Sequence, residues 1–305
     1  MSQAVEPLKR RYLPRRPLDL VSTVAPLRRG GYNDPTFRAA GDTIWRATNN
    51  VEGAVTLSMR ADGPAVDLRA WGPGAALALD RAPTLLGEDD DDSDFHPAHP
   101  LLADLKQRRA GVRLCRSEAV LEALVPTVME QKVIGLEARR GYRRLVMAMG
   151  APAPGPDGLR VPPTASTLAN APYWRFHPFA VERRRAETIS RAAASATRLE
   201  GLTALPAAEA RAHLEAQRGL GPWSAAEITM VALGDPDAVA VGDFHLPNLV
   251  AFALTGAARG TDEMMLELLE PYRGHRGRVV RLLVSAGIRA PRFGPRLSLR
   301  HLEVH

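Results

Sequence analysis

The segment that most restricts the fold is Arg218-Gly219-Leu220-Gly221-Pro222, which interrupts two runs with helical spacing, Ala207–Gln217 and Trp223–Leu233. A connection this short forces the second helix to turn back beside the first. Two glycines one apart permit positive φ and a close backbone approach to a bulky neighbour. Pro222 suits the first helical position, where a missing N–H costs nothing. The first-turn N–H groups of the second helix are then unpaired and sit at the positive end of its dipole, a geometry that receives a phosphate oxygen. Leu220 is expected to turn inward and staple the two helices. A plain αα-corner with a glycine turn would have the same local sequence, so this segment alone leaves both readings open.

The rest of the chain divides by periodicity. Between Asp42 and Leu79 the runs DTIWRAT, GAVTLSMRA and AVDLRAW alternate apolar and polar residues, separated by Asn49-Asn50 and Asp62-Gly63-Pro64. They predict a small antiparallel sheet, with helices over Ala75–Asp80 and near Leu20–Leu27. The basic, proline-rich stretch up to Pro17 reads as a flexible or loosely docked arm. Gly87–Pro100, an acidic run followed by prolines, reads as a solvated linker; its consecutive carboxylates lack the alternate spacing of a calcium loop. From Pro100 onward helices are expected over Leu101–Gln107, Ser117–Met149, Pro178–Arg198, Ala207–Gln217, Trp223–Leu233, Leu246–Leu254 and Thr261–Ala286. Ser117 and Glu118 would open the second of these and Gly150 close it, while Arg183–Arg185 reads as a solvated helix face. The fold class is α+β: a small N-terminal antiparallel β-sheet domain, then a mostly α-helical body.

Composition narrows the chemistry. The formal net charge of +6 suits a polyanionic partner. Nearly all the basic residues are Arg, however, in a chain also rich in Ala, Gly and Pro, so biased codon usage explains the charge as well. One cysteine, Cys115, excludes an internal disulfide, a cysteine-based zinc site and a four-cysteine iron–sulfur cluster. No run of about 18 apolar residues suggests a membrane span. The N-terminus lacks the apolar core of a secretory signal, so a cytoplasmic location is expected.

Beyond the hairpin, Gly219-Leu220-Gly221-Pro222-Trp223-Ser224-Ala225 is followed by a Leu-Gly-Asp-Pro-Asp-Ala bridge and then Val241-Gly242-Asp243. This pairing resembles the helix–hairpin–helix DNA glycosylase superfamily, most closely its 3-methyladenine DNA glycosylase II (AlkA-like) branch. The resemblance covers most of Ser117–Leu283, and the first hundred residues in outline. It implies a helix–hairpin–helix body over a sheet domain, divided into 1–95, a helical unit of 96–116 with 237–305 carrying the catalytic Asp, and 117–236 carrying the hairpin.

The activity so implied is base-excision repair: hydrolysis of the N-glycosidic bond of a damaged, alkylated purine flipped from duplex DNA. Its transition state resembles an oxocarbenium ion, which a fixed carboxylate stabilises. Asp243 is the candidate, although an Asp before a helix is also a common N-cap. Lyase-type relatives place a Schiff-base lysine where this chain has Trp223, and its only lysines are Lys9, Lys106 and Lys132. A monofunctional enzyme is therefore expected. Trp223 either offers an aromatic face to a cationic base or belongs to the core. Glu227, one turn later, replaces an aromatic residue of the relatives and would meet the base or solvent.

Gln131 and Lys132 match the segment that fills the gap left by the flipped nucleotide, Lys132 standing where relatives use an apolar wedge or acting as a plain surface charge. His245 would reach a flanking phosphate, as would the backbone at Gly219 and Gly221, or be a locally satisfied histidine. The carbonyls of Glu215, Gln217 and Leu220 would hold a structural K+ or Na+; no other cofactor and no iron–sulfur cluster are implied. The partner is double-stranded DNA containing a damaged base, the enzyme a monomer associated with the nucleoid. Two alternatives stand beside this: a non-catalytic lesion-sensing protein using the same hairpin, and a glycosylase for oxidised or deaminated bases.

Overall fold

The computed structural model describes residues 6–156 and 158–291. Residues 1–5 of the basic stretch and 292–305 of the expected Asp243-bearing unit lie outside the described residues. Five strands, β1 (Leu8–Tyr12), β2 (Phe37–Ala40), β3 (Thr43–Asn50), β4 (Gly53–Asp62) and β5 (Ala65–Trp71), form one antiparallel sheet in the order β1-β5-β4-β3-β2. The β3–β4 hairpin turns where the Asn50 side chain accepts the Glu52 and Gly53 amides. The basic stretch is thus in part an edge strand: Leu8 pairs with Ala70 and Tyr12 with Val66. Helix α1 (Leu20–Val24) follows it, and α2 (Ala75–Leu85) buries Ala75, Leu79 and Ala82 at helical spacing.

The helical body comprises α3 (Pro100–Arg108), α4 (Val120–Glu130), α5 (Gly135–Met149), α6 (Ala165–Ala169), α7 (Arg183–Ala194), α8 (Ala196–Glu200), α9 (Ala207–Glu215), α10 (Pro222–Ala232), α11 (Leu246–Thr255), α12 (Asp262–Leu269) and α13 (Arg276–Ser285). None is long and apolar enough to cross a membrane. Three expected helices are broken. Ser117–Met149 splits into α4 and α5 around a tight turn at Gln131–Ile134. Ser117 and Glu118 do not open α4, because their amides cap the C-terminal end of α10 by donating to the Val231 and Ala232 carbonyls. The Glu200 carboxylate caps α4 instead, accepting the Val120 and Leu121 amides at 2.7 and 2.9 Å. Pro178–Arg198 divides into a 3-10 segment over Tyr173–Phe179, then α7 and α8, and Thr261–Ala286 divides at a 3-10 turn over Glu270–Tyr272.

Gly87–Pro100 is a docked strap rather than a solvated linker. Asp90 pairs with Arg278 at 2.6 Å, each side chain only 6% exposed, and accepts the Leu114 amide at 2.9 Å. Glu88 meets Arg113 at 3.1 Å and the Tyr12 hydroxyl, while Phe95 is 2% exposed. The strap therefore ties strand β1 to α13. One core runs from the sheet through α2, α4, α5, α7 and α9 to α10; a second joins Phe95 and α3 to α11, α12 and α13. Helix α10 contributes to both, Ile228 to the first and Ala226 to the second. An apolar helix wedged between two cores is held in place on nearly every side.

Candidate active site

The hairpin between α9 and α10 forms as its sequence requires. Gly219 has φ +96°, and a Cβ there would lie 2.3 Å from Thr188 Oγ1, so both backbone and packing demand glycine. Gly221 differs: it is extended at φ −124°, and a Cβ there would meet nothing within 4 Å. Among the described residues its small size serves no contact. Leu220 turns inward and is 7% exposed. Helix α10 starts at Pro222 with no side-chain cap, leaving its first-turn amides without a side-chain partner. Gln131 ties this hairpin to the α4–α5 turn, its amide nitrogen donating to the Gly219 carbonyl at 2.9 Å and to Ser224 Oγ at 2.8 Å. That nitrogen faces the hairpin, so Gln131 braces the surface expected to meet DNA.

The α4–α5 turn is braced a second time. Arg185 is not on a solvated face: it is buried and donates to the Met129 carbonyl at 2.8 Å and the Ala180 carbonyl at 3.1 Å. Between these fixed points Lys132 is exposed and left-handed, at φ +55°. That region is strained for a residue with a side chain and persists only where the surroundings impose it.

Asp243 lies in the loop before α11 and caps that helix, Oδ1 accepting the His245 amide at 2.7 Å and the Leu246 amide at 2.8 Å. Its other oxygen, Oδ2, accepts the Trp223 indole N–H at 3.2 Å. Capping and placement beside the hairpin helix thus coexist on one carboxylate. Trp223 packs partly on the second core and turns its polar edge to Asp243. Phe244 and His245 continue the loop; both are exposed, and their rings meet edge to face with centroids 5.0 Å apart.

Glu227 does not face solvent. Its side chain is 21% exposed, and Arg29 Nη1 lies 3.9 Å from Oε2. Arg29 also contacts Glu130 Oε2 at 3.0 Å and Thr127 Oγ1 at 3.2 Å. Burial pushes the Glu227 pKa up to about 7; Arg29 opposes that shift, and the neighbouring Glu130 and Asp243 carboxylates add to it. Arg29 and Glu130 carry no local signal that marks them for this site. Arg29 arrives from the segment between α1 and β2, where Arg143 donates to the Gly30 carbonyl at 3.3 Å. The one hint is Gly30-Gly31, a pair of small residues in a loop that packs tightly, since a Cβ at Gly30 would lie 2.9 Å from Asp34.

Among the described residues no group of three His, Cys, Asp or Glu is placed to hold a metal. A cation at the hairpin would rest on backbone oxygens. The Gln217 carbonyl already accepts the Leu220 amide at 3.0 Å, which leaves it one lone pair for an ion.

The assembled geometry is a braced turn, an open helix N-terminus, and a carboxylate fixed to the same helix by an indole. No protein-family model matches this chain, and no curated protein matches it. Solved structures do. The 3-methyladenine DNA-glycosylase from Archaeoglobus fulgidus superposes with a TM-score of 0.74 at 17% identity, covering 90% of this chain and 97% of that one. The 8-oxoguanine glycosylase/lyase of Clostridium acetobutylicum, in complex with double-stranded DNA containing cytosine opposite 8-oxoguanine, superposes with a TM-score of 0.68 at 13% identity, covering 89% and 92%. The chain has the fold of the helix–hairpin–helix DNA glycosylases.

Proposed function

We propose that this protein is a monofunctional DNA glycosylase of base-excision repair that hydrolyses the N-glycosidic bond of alkylated purines in duplex DNA. The observation that carries the reading is the Trp223–Asp243 hydrogen bond, which joins the phosphate-facing helix to the carboxylate at one point. A pure DNA-binding hairpin has no use for a carboxylate held next to anionic DNA.

In this reading a phosphate of the damaged strand docks on the free amides at the start of α10, approaching closely because Gly221 has no side chain. The damaged nucleotide swings out, at a cost of a few kcal/mol in lost stacking. Lys132 enters the gap it leaves, with its methylene stem among the bases and its ammonium directed to a phosphate. As the C1′–N9 bond lengthens, positive charge grows on the sugar and the Asp243 carboxylate stabilises it; water then completes the displacement. His245, exposed just before α11, would donate to a flanking phosphate.

Two observations favour alkylated over oxidised bases and hydrolysis over lyase chemistry. Glu130 and Glu227 share one guanidinium, Arg29, and Asp243 adds a third carboxylate near Glu227, so the site has an excess of negative charge suited to a cationic base. Trp223 occupies the position of a lyase lysine, and Lys106 is engaged by the Phe95 and Asp92 carbonyls far along the strap. A K+ or Na+ on the Glu215, Gln217 and Leu220 carbonyls would add positive charge where the phosphate docks; weaker DNA binding when potassium is replaced by a bulky organic cation at equal ionic strength checks it.

One panel tests the function: release of free base from alkylated, oxidised and deaminated duplexes, with borohydride added in a parallel set. The reading expects release of 3-methyladenine or 7-methylguanine and no trapped adduct. Release of oxidised bases alone, or a covalent protein–DNA adduct, contradicts it.

A further inference from the structure

Glu227 is the only charged residue of α10, whose sequence is otherwise PWSAA before it and ITMVA after it. Ser224, Ala225, Ala226 and Ile228 around it are all buried. A carboxyl four-fifths covered on such a helix is costly unless something pairs with it. Arg29, the charged partner nearest to it, has its Nη1 3.9 Å away, beyond hydrogen-bonding distance, while its Nη2 is committed to Glu130 and Thr127. The charged groups that face Glu227 are Arg29 from the segment after α1, Glu130 from α4 and Asp243 from the loop before α11. Among the described residues no hydrogen-bond donor satisfies it, yet it keeps 21% of its surface open on the side of the helix that also carries Trp223. It is a carboxyl arranged to meet something that enters the pocket.

We propose that Glu227 selects the base: as a carboxylate it holds a cationic alkylated purine, and as a carboxylic acid it serves as general acid for a neutral purine. This rests on the glycosylase reading. For a neutral purine, the C1′–N9 bond breaks with its electron pair passing to the ring, and the Glu227 proton transfers to a ring nitrogen so that the base leaves uncharged. Water forms the new bond to C1′, its proton passes to Asp243 and on to solvent, and solvent reprotonates Glu227. For a cationic purine the departing pair neutralises the charge already on the ring, no proton is needed, and the carboxylate contributes binding. With the carboxyl balanced near neutral pH, the two substrate classes respond to pH with opposite sign.

The experiment is single-turnover release of 7-methylguanine and of hypoxanthine from otherwise identical duplexes, between about pH 6 and about pH 8, by wild type, Glu227→Gln and Glu227→Asp. In wild type the ratio of 7-methylguanine to hypoxanthine release should rise as pH rises through about 7. Glu227→Gln should slow 7-methylguanine release about tenfold and hypoxanthine release about a hundredfold, with a ratio that no longer changes with pH. Glu227→Asp, which still titrates, should keep a pH-dependent ratio at lower rates. A ratio that varies with pH in Glu227→Gln as in wild type overturns the assignment. So does a flat ratio in wild type, and in both cases Asp243-dependent release leaves the glycosylase reading standing. If wild type releases neither base, both fall.

Discussion

The Asp243 carboxylate accepts three N–H groups, the backbone amides of His245 and Leu246 where α11 begins and the Trp223 indole, so its position is fixed before any substrate arrives. Preorganisation of this kind is what stabilises developing positive charge without reorganisation cost. Because two of the three contacts are capping bonds, substitutions at this position separate stability from chemistry. Asp243→Asn keeps a good cap, whereas Asp243→Ala should lose about 1 kcal/mol in thermal unfolding. Lys132 presents the converse case, an exposed residue with a strained backbone and a proposed role for its side chain. Lys132→Gly removes the penalty of a left-handed side-chain residue and should raise stability by up to about 1 kcal/mol. The same change should slow base extrusion, read by the fluorescence rise of 2-aminopurine beside the lesion. Unchanged extrusion in a stabilised Lys132→Gly protein would reduce Lys132 to a surface charge.

The hairpin illustrates how two glycines separated by one residue answer to different demands. Gly219→Ala combines a positive φ with a Cβ 2.3 Å from Thr188 Oγ1, and should destabilise by about 1–3 kcal/mol. Gly221→Ala meets open space in an ordinary backbone conformation, so its stability should stay within about 0.5 kcal/mol of wild type while DNA affinity falls. Equilibrium unfolding and DNA titration of the two variants check this; a destabilised Gly221→Ala that still binds DNA would show that this glycine belongs to the fold alone. The helix–turn–helix, the Pro222 start, and Asp243 before α11 were legible because each depends on neighbours a few residues away. The break of Ser117–Met149 at Gln131 was not, since it is enforced by Arg185 and the hairpin. Nor was the cap on α4, which comes from Glu200, or the partnering of Ser117 and Glu118 with the end of α10. Contacts between residues fifty or more apart leave no periodicity to read.

At the level of the whole molecule, α10 is the member that both cores share, and the candidate site forms where three other parts of the chain, bearing Arg29, Glu130 and Asp243, meet its Trp223 and Glu227. The strap from Gly87 to Pro100 contributes by joining β1 to α13. Its acidic run resembles a solvated linker only because the arginines that neutralise it, Arg113 and Arg278, lie elsewhere in the sequence. Asp90→Ala would leave Arg278 buried without its partner and should cost about 3–5 kcal/mol, measurable by urea unfolding; a loss under about 1 kcal/mol would mean the strap is peripheral. The proposed glycosidic hydrolysis on an extruded base rests on Asp243. Its most direct test is single-turnover release of 7-methylguanine from duplex DNA by wild type and by Asp243→Asn at equal DNA affinity. Release by wild type and a loss of at least about a hundredfold in the folded, DNA-binding variant are expected; release by Asp243→Asn at the wild-type rate would rule out this role for Asp243.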